Sequence, residues 1–256
     1  MIIKEEMWRN IPLLHIVESE FENIDVPVAI FLHGFTSAKE HNLHYAYNLA
    51  KEGIRVLLPD AHLHGVRSEN LDEVELALRF WEIVMTNIEE LKVLHNEIKE
   101  RGLSTSAKIG VGGTSMGGIS TLGSLKIYDW IDASIIMMGA PGFVDLAKAQ
   151  IHEFEQKGFT LPVTAEEKNQ LLENISLFDI TRDPFSLKGR PVYFWHGKND
   201  QVVPYGPTFK FYKEVKETYS DRPNDFVFVT DNNAAHAVTR TGMLDAVSWL
   251  ASHLNE

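Results

Sequence analysis

The chain reads as an α/β protein built on an open, doubly wound and mostly parallel sheet, and two observations predict this. Six short runs (27–34, 54–60, 107–113, 133–141, 191–197 and 225–231) are apolar in succession rather than alternating, which marks strands covered on both faces. Between them stand segments with helical spacing, and such β/α alternation winds a parallel sheet with helices on both sides. Ligands of sheets of this kind bind beyond the carboxyl ends of the strands, so the loops there are the place to look for chemistry.

The elements follow in order. PLLHIVES (12–19) is expected as an antiparallel strand at the sheet edge, and VPVAIFLH runs into Gly34. Residues 71–100 put Val74, Leu78, Trp81, Val84, Met85 and Ile88 on one helical stripe, with charges elsewhere. AKIGV leads straight into MGGISTLGSLKIY, a strand followed by a helix. About fifty residues then separate Pro141 from Pro191 without a strand signal, which is long for a simple connection. Within them 143–151 and 165–178 read as helices, and Phe143, Phe154, Phe159, Phe178 and Phe185 fall in the segment. The expectation is one domain over 1–256 with a helical cap insertion at 143–188; a helical layer that only shields the sheet is the competing reading. Met243, Leu244, Val247, Leu250, Ala251 and Leu254 set a final amphipathic helix.

Composition narrows the function classes. Of 256 residues, 44% are hydrophobic and 23% charged, as in a globular protein with a sizeable core. Lys and Arg number 24 against 36 Asp and Glu, a net charge of −12 that repels nucleic acid and anionic membranes. There is no cysteine, so disulfides, thiolate metal ligands and cysteine nucleophiles are excluded. MIIKEEMWRN has acidic residues where a signal peptide would carry its apolar core, and no run approaches a membrane span. A cytoplasmic protein is expected.

Gly113-Thr114-Ser115-Met116-Gly117 is a G-x-S-x-G sequence between strand and helix. A nucleophile on so sharp a turn needs a strained backbone and small neighbours, and it gains a helix N-terminus that favours negative charge. A serine hydroxyl also needs a base, and the base an orienting acid. PVYFWHG runs into KNDQVVP, placing Asp200 just past a strand, and DFVFVTD runs into NNAAHAVT, placing His236 before the last helix. Asp231, which also ends a strand, is the alternative acid. An oxyanion hole needs two backbone N–H groups. Met116, after the serine, supplies one, and Phe35, after His33-Gly34, is the natural second donor. The Phe35 ring is also a candidate for lining the acyl pocket, with His41 a further candidate substrate contact. His62 and His64 form an H-x-H without a second ligand cluster downstream, so they are expected, with His41 and His44, in loops at the rim of the site rather than on a metal. His196 is expected to pack at its strand end.

Taken together, strand-HGF, strand-GTSMGG, strand-HG-x-x-D-x-x-VP and a final loop histidine resemble the α/β-hydrolase superfamily. Within it the chain is similar to small bacterial carboxylesterases related to dienelactone hydrolases and to the catalytic domain of prolyl oligopeptidases. The likeness runs from Pro12 to the end of the chain. It implies Ser115 as nucleophile, His236 as base, Asp200 as orienting acid, and the Phe35 and Met116 amides as oxyanion hole, with no cofactor or metal. The departures matter: dienelactone hydrolases use a cysteine, dehalogenases and epoxide hydrolases an aspartate at the elbow, and prolyl oligopeptidases a large gating domain with no room here. The expected activity is hydrolysis of short- to medium-chain carboxylic esters, the partner being a small-molecule ester. A small serine peptidase or amidase, and a binding protein on a hydrolase scaffold, are the alternatives.

Overall fold

The computed structural model describes residues 1–158 and 164–256. Its sheet has eight strands: β1 (Ile2–Trp8), β2 (Ile11–Val17), β3 (Val28–Leu32), β4 (Arg55–Pro59), β5 (Ile109–Thr114), β6 (Ala133–Met137), β7 (Val192–Gly197) and β8 (Phe226–Asp231). They lie side by side in the order β1-β2-β4-β3-β5-β6-β7-β8. From β4 to β8 every pairing is parallel, whereas β2 runs antiparallel to β4 and β1 antiparallel to β2. This is the α/β-hydrolase fold. All residues of β3, β4 and β6 are buried, as their continuous apolar runs require.

One expectation is corrected at the edge. The 12–19 run becomes β2, an interior strand, and β1 takes the edge. The acidic residues that argued against a signal peptide belong to this strand: Lys4 and Glu5 stand on it as exposed charges, a common way to keep an open edge from pairing with another chain.

Helices α1 (Leu43–Lys51) and α8 (Arg240–Asn255) share one core cluster with strand residues such as Ile16, Val56 and Trp195. On the other face lie α3 (Phe80–Glu100), α4 (Met116–Ile127) and α7 (Tyr205–Val215), whose Leu91, Leu122 and Phe211 pack on Ile30, Val111 and Phe194. A second correction concerns 71–100, which is two helices. A short α2 (Glu73–Leu78) is closed by a capping box at Asp72 and ends at Arg79, where φ of −95° and ψ of 9° leave the helical region. Val74 and Leu78 are therefore exposed, while Trp81, Val84 and Ile88 stay in the core.

The 143–188 segment forms α5 (Phe143–Gln156) and α6 (Ala165–Ser176) at the carboxyl side of the sheet, with 159–163, and thus Phe159, outside the described residues. Phe143, Val144, Ala147 and Ile175 pack with Trp81, Ile88, Met116 and Ile119 in a third core cluster. Lys126 on α4 donates to the Ser176 and Asp179 carbonyls at 3.2 and 2.8 Å, tying the far end of α6 to the body.

Candidate active site

Ser115 is the residue between β5 and α4, with φ of 52° and ψ of −115°, a conformation L-residues rarely hold unless their surroundings impose it. The imposing contacts are visible. A β-carbon on Gly113 would strike the Gly117 backbone, and one on Gly117 would strike the Leu32 carbonyl, so no other residue fits this turn. The close passage of Gly117 against Leu32 also brings the start of α4 to the end of β3. Four of the six non-glycine residues with positive φ among the described residues, namely Thr36, Leu63, Ser115 and Met138, lie just past the carboxyl ends of β3, β4, β5 and β6. Backbone strain is concentrated at this edge of the sheet.

Two later loops meet the serine. His236 Nε2 is 2.9 Å from Ser115 Oγ, and its Nδ1 is 2.7 Å from Asp200 Oδ2. Asp200 Oδ1 accepts the Val202 and Val203 amides, both at 2.9 Å. His196 packs at its strand end as expected and is nearly inaccessible; its Nε2 lies 2.9 Å from the Val203 carbonyl and 3.3 Å from Asp200 Oδ2. Burial alone would raise the Asp200 carboxyl, but hydrogen bonds from His196, His236 and the Val203 amide outweigh it and hold the group well below the usual carboxylate range. Asp231 is occupied otherwise. Its Oδ1 accepts the Asn233 and Ala234 amides at 3.0 Å, shaping the turn that carries His236.

The Phe35 and Met116 amides donate to no protein acceptor among the described residues. The loop holding Phe35 is pinned by two histidines working in opposite directions. His33, at the end of β3, accepts the Ala61 amide on Nε2 at 3.0 Å, and its Nδ1–H donates to the Gly34 carbonyl at 2.7 Å. His64, from the loop after β4, accepts the Thr36 amide on Nε2 at 3.0 Å, and its Nδ1–H donates to the His62 carbonyl at 2.9 Å. Each ring must be neutral to accept, and burial pushes His33 down to about 4 and His64 below its ordinary value. Beneath them Asp60, fully buried, accepts the Lys39 ammonium and amide at 2.9 Å and the Val66 amide at 3.1 Å.

Ser115 opens into a cavity of about 450 Å³, within the size range of small-molecule sites. Its walls include Phe35 from the first loop, Leu78 from α2, Trp81 from α3, Ile151 and Phe154 from α5, and Leu171 from α6. Both helices of the 143–188 segment thus face the same space as the serine. The phenylalanines of that segment divide: Phe143 is core, Phe154 is wall, and Phe185 is 82% exposed.

The remaining expected residues fall elsewhere. His41 is exposed, 2.9 Å from Ser37 Oγ, and does not line the cavity. His44 is not in a loop but in α1, and His64 is buried rather than on the rim; His62 lies 3.3 Å from Glu82. The amphipathic signal of LHYAYNLAK marks α1, whereas nothing in the H-x-H spacing announces a loop clamp. Trp81 and Gln150, joined at 2.8 Å, also escape sequence reading, because their partnership spans two helices far apart in the chain.

Fold and relatives together define the class: the protein is a serine hydrolase of the α/β-hydrolase fold. It belongs to the prolyl oligopeptidase family, whose model matches residues 86–256. It is 46% identical to "Putative esterase YitV" of Bacillus subtilis (strain 168) over 252 residues, 98% of this chain and 99% of the relative. It is 28% identical to "Esterase YjfP" of Escherichia coli (strain K12) over 255 residues, again 98% and 99%. Among solved structures, TT1662 from Thermus thermophilus superposes with a TM-score of 0.76 at 17% identity, covering 100% of this chain and 98% of that one. Est1E from Butyrivibrio proteoclasticus, solved with ferulic acid, gives 0.66 at 19% identity over the whole of both chains. At these identities the two structures speak to the fold. Among the described residues no helix is long and apolar enough to cross a membrane.

Proposed function

We propose that the protein is a cytoplasmic serine carboxylesterase acting on small-molecule esters with short- to medium-chain acyl groups, through Ser115, His236 and Asp200. The observation that carries this reading is the unbroken relay from Ser115 Oγ to His236 at 2.9 Å and on to Asp200 at 2.7 Å, at the mouth of an apolar cavity.

His236 Nε2 takes the serine proton as Oγ attacks the ester carbonyl. Asp200, acceptor for Nδ1–H, keeps the tautomer that leaves Nε2 free and stabilises the imidazolium that forms. The negative oxygen of the tetrahedral intermediate is met by the unspent Phe35 and Met116 amides, the second of them at the N-terminus of α4. His236 then protonates the departing alcohol, and water, activated by the same imidazole, releases the acyl group. The acyl chain lies in the cavity against Trp81, Ile151 and Leu171. His33 and His64 act at one remove, holding the Phe35 amide where charge develops.

Family membership keeps a peptidase in view as the rival. The cavity favours esters: Glu167 is committed to the cap of α6 and Lys168 to Glu155, so among the described residues no free carboxylate waits there for a peptide's terminal amine. A series of p-nitrophenyl esters from acetate to dodecanoate, run beside aminoacyl anilides, tests the proposal. Ester kcat/KM should peak at intermediate length and exceed that of the anilides; faster anilide cleavage would overturn it.

A further inference from the structure

One polar group in the cavity wall has no part in the chemistry just described. Gln150, on α5, lines the same space as Ser115, and it lies 2.8 Å from the indole Nε1 of Trp81. An indole N–H only donates, so the amide oxygen must be the atom facing it, and the orientation of the amide is fixed. The anchoring donor is itself packed in: Trp81 is 6% exposed, and its ring centroid lies 5.3 Å from that of Phe80 and 5.2 Å from that of Phe143. The Gln150 NH2 group is thereby left with two N–H donors and no protein acceptor among the described residues.

The other polar side chains of the wall are already engaged. Ser115 faces His236, Glu167 accepts the Thr164 amide at 2.7 Å and its hydroxyl at 2.9 Å, and Lys168 pairs with Glu155 at 2.6 Å. Among the described side chains of this mostly apolar wall, the Gln150 amide is therefore the neutral donor with capacity to spare. An all-methylene chain drawn across it would shut solvent out and leave the donors unpaired, whereas an oxygen on the chain would satisfy one of them.

We propose that Gln150, held by Trp81, is a specificity-determining residue that donates a hydrogen bond to a neutral oxygen carried on the acyl group, selecting oxo-, hydroxy- or alkoxyacyl esters over plain alkanoates. A carboxylate is not matched, because the Lys168 ammonium in the wall is already paired with Glu155 and one neutral amide does not offset the desolvation of a charge. This rests on the reading above, in which the acyl group occupies the cavity.

The test uses p-nitrophenyl esters of equal length, either all-methylene or with one ether or keto oxygen moved stepwise along the acyl chain. For the native protein, kcat/KM at one position of the oxygen should exceed that of the plain chain by about 5–10-fold, the worth of one net hydrogen bond. In Gln150→Leu that ratio should fall to about 1. In Trp81→Phe, which keeps an aromatic ring but removes the anchoring N–H, the ratio should fall part of the way as the amide becomes free to turn. Oxygen-bearing esters without advantage at any position, or an advantage that survives Gln150→Leu, would overturn the proposal. p-Nitrophenyl acetate separates the two levels, since it has no chain beyond its methyl group. Normal acetate turnover without an oxygen preference refutes the role of Gln150 alone, whereas no ester turnover at all removes the esterase reading and this proposal with it.

Discussion

On one side of the cavity, Ser115, Asp200, His236 and the Phe35 loop rest on the ends of parallel strands, each fixed by backbone hydrogen bonds, glycine passages or buried charge. On the other side, Leu78, Ile151, Phe154 and Leu171 come from helices that meet the body through apolar contacts and a few polar ties. The first wall stores strain at four successive strand ends, and the second shows none among its described helical residues. The geometry that attack by Ser115 would need is held by groups that cannot move independently, while the shape of the cavity is left to side chains exchangeable one at a time.

Substitutions should separate the walls, the largest effects falling on the sheet side. Ser115→Ala is expected to lower kcat/KM on p-nitrophenyl butyrate by about 10⁴-fold or more while the circular dichroism spectrum is kept. Asp200→Asn should reduce kcat by about 10³–10⁴-fold with KM nearly unchanged, since the wrong His236 tautomer harms the transition state rather than binding. Steady-state kinetics that showed a KM effect alone would contradict that role. Gly117→Ala, a change of one methyl group, should cost both activity and about 1–3 kcal/mol of stability in urea unfolding, because the added carbon meets the Leu32 carbonyl.

Acid should loosen the sheet side. His33 has an ordinary value of 6.5 and stands at about 4 in the fold, chiefly through burial. Below pH 6.5 the unfolded chain takes up a proton that the folded one refuses until about pH 4. Stability is thus full above 6.5 and is lost as the pH falls across that window, by up to roughly 3 kcal/mol from this residue. Urea midpoints between pH 7.5 and 4.5 should fall in this sense, and His33→Gln should make the fall shallower, the lowered His64 still contributing; an equal slope in the variant would show that the loss comes from elsewhere.

The smallest effects belong to the helical wall. Leu171→Ala should move the preferred acyl length upward, with acetate turnover changed less than about tenfold. A fall as steep as that of the Ser115 variant would erase the distinction between the walls.

The sequence was most legible where the two levels agree. Continuous apolar runs gave six strands within a few residues, because burial on both faces leaves no polar alternation to misread. The elbow and the loops of Asp200 and His236 were visible because a strained serine turn demands glycines and because each partner directly follows an apolar run. The edge strand β1 was missed because an edge tolerates the charges that disguise it. The break at Arg79 was missed because 3.6-residue spacing continues across it. The clamp of His33 and His64 and the Trp81–Gln150 pair were illegible in principle, since each joins residues distant in the chain through atoms that carry no pattern.

The account rests above all on Ser115 being the atom that attacks. Mass spectrometry of the protein after titration with a fluorophosphonate, with p-nitrophenyl butyrate turnover followed in parallel, tests this most directly. One adduct per chain on the peptide bearing Ser115, rising in step with the loss of turnover and absent from His236→Ala on the same timescale, is the result expected. Full turnover in protein blocked at Ser115, or inactivation with the adduct on another residue, would contradict it.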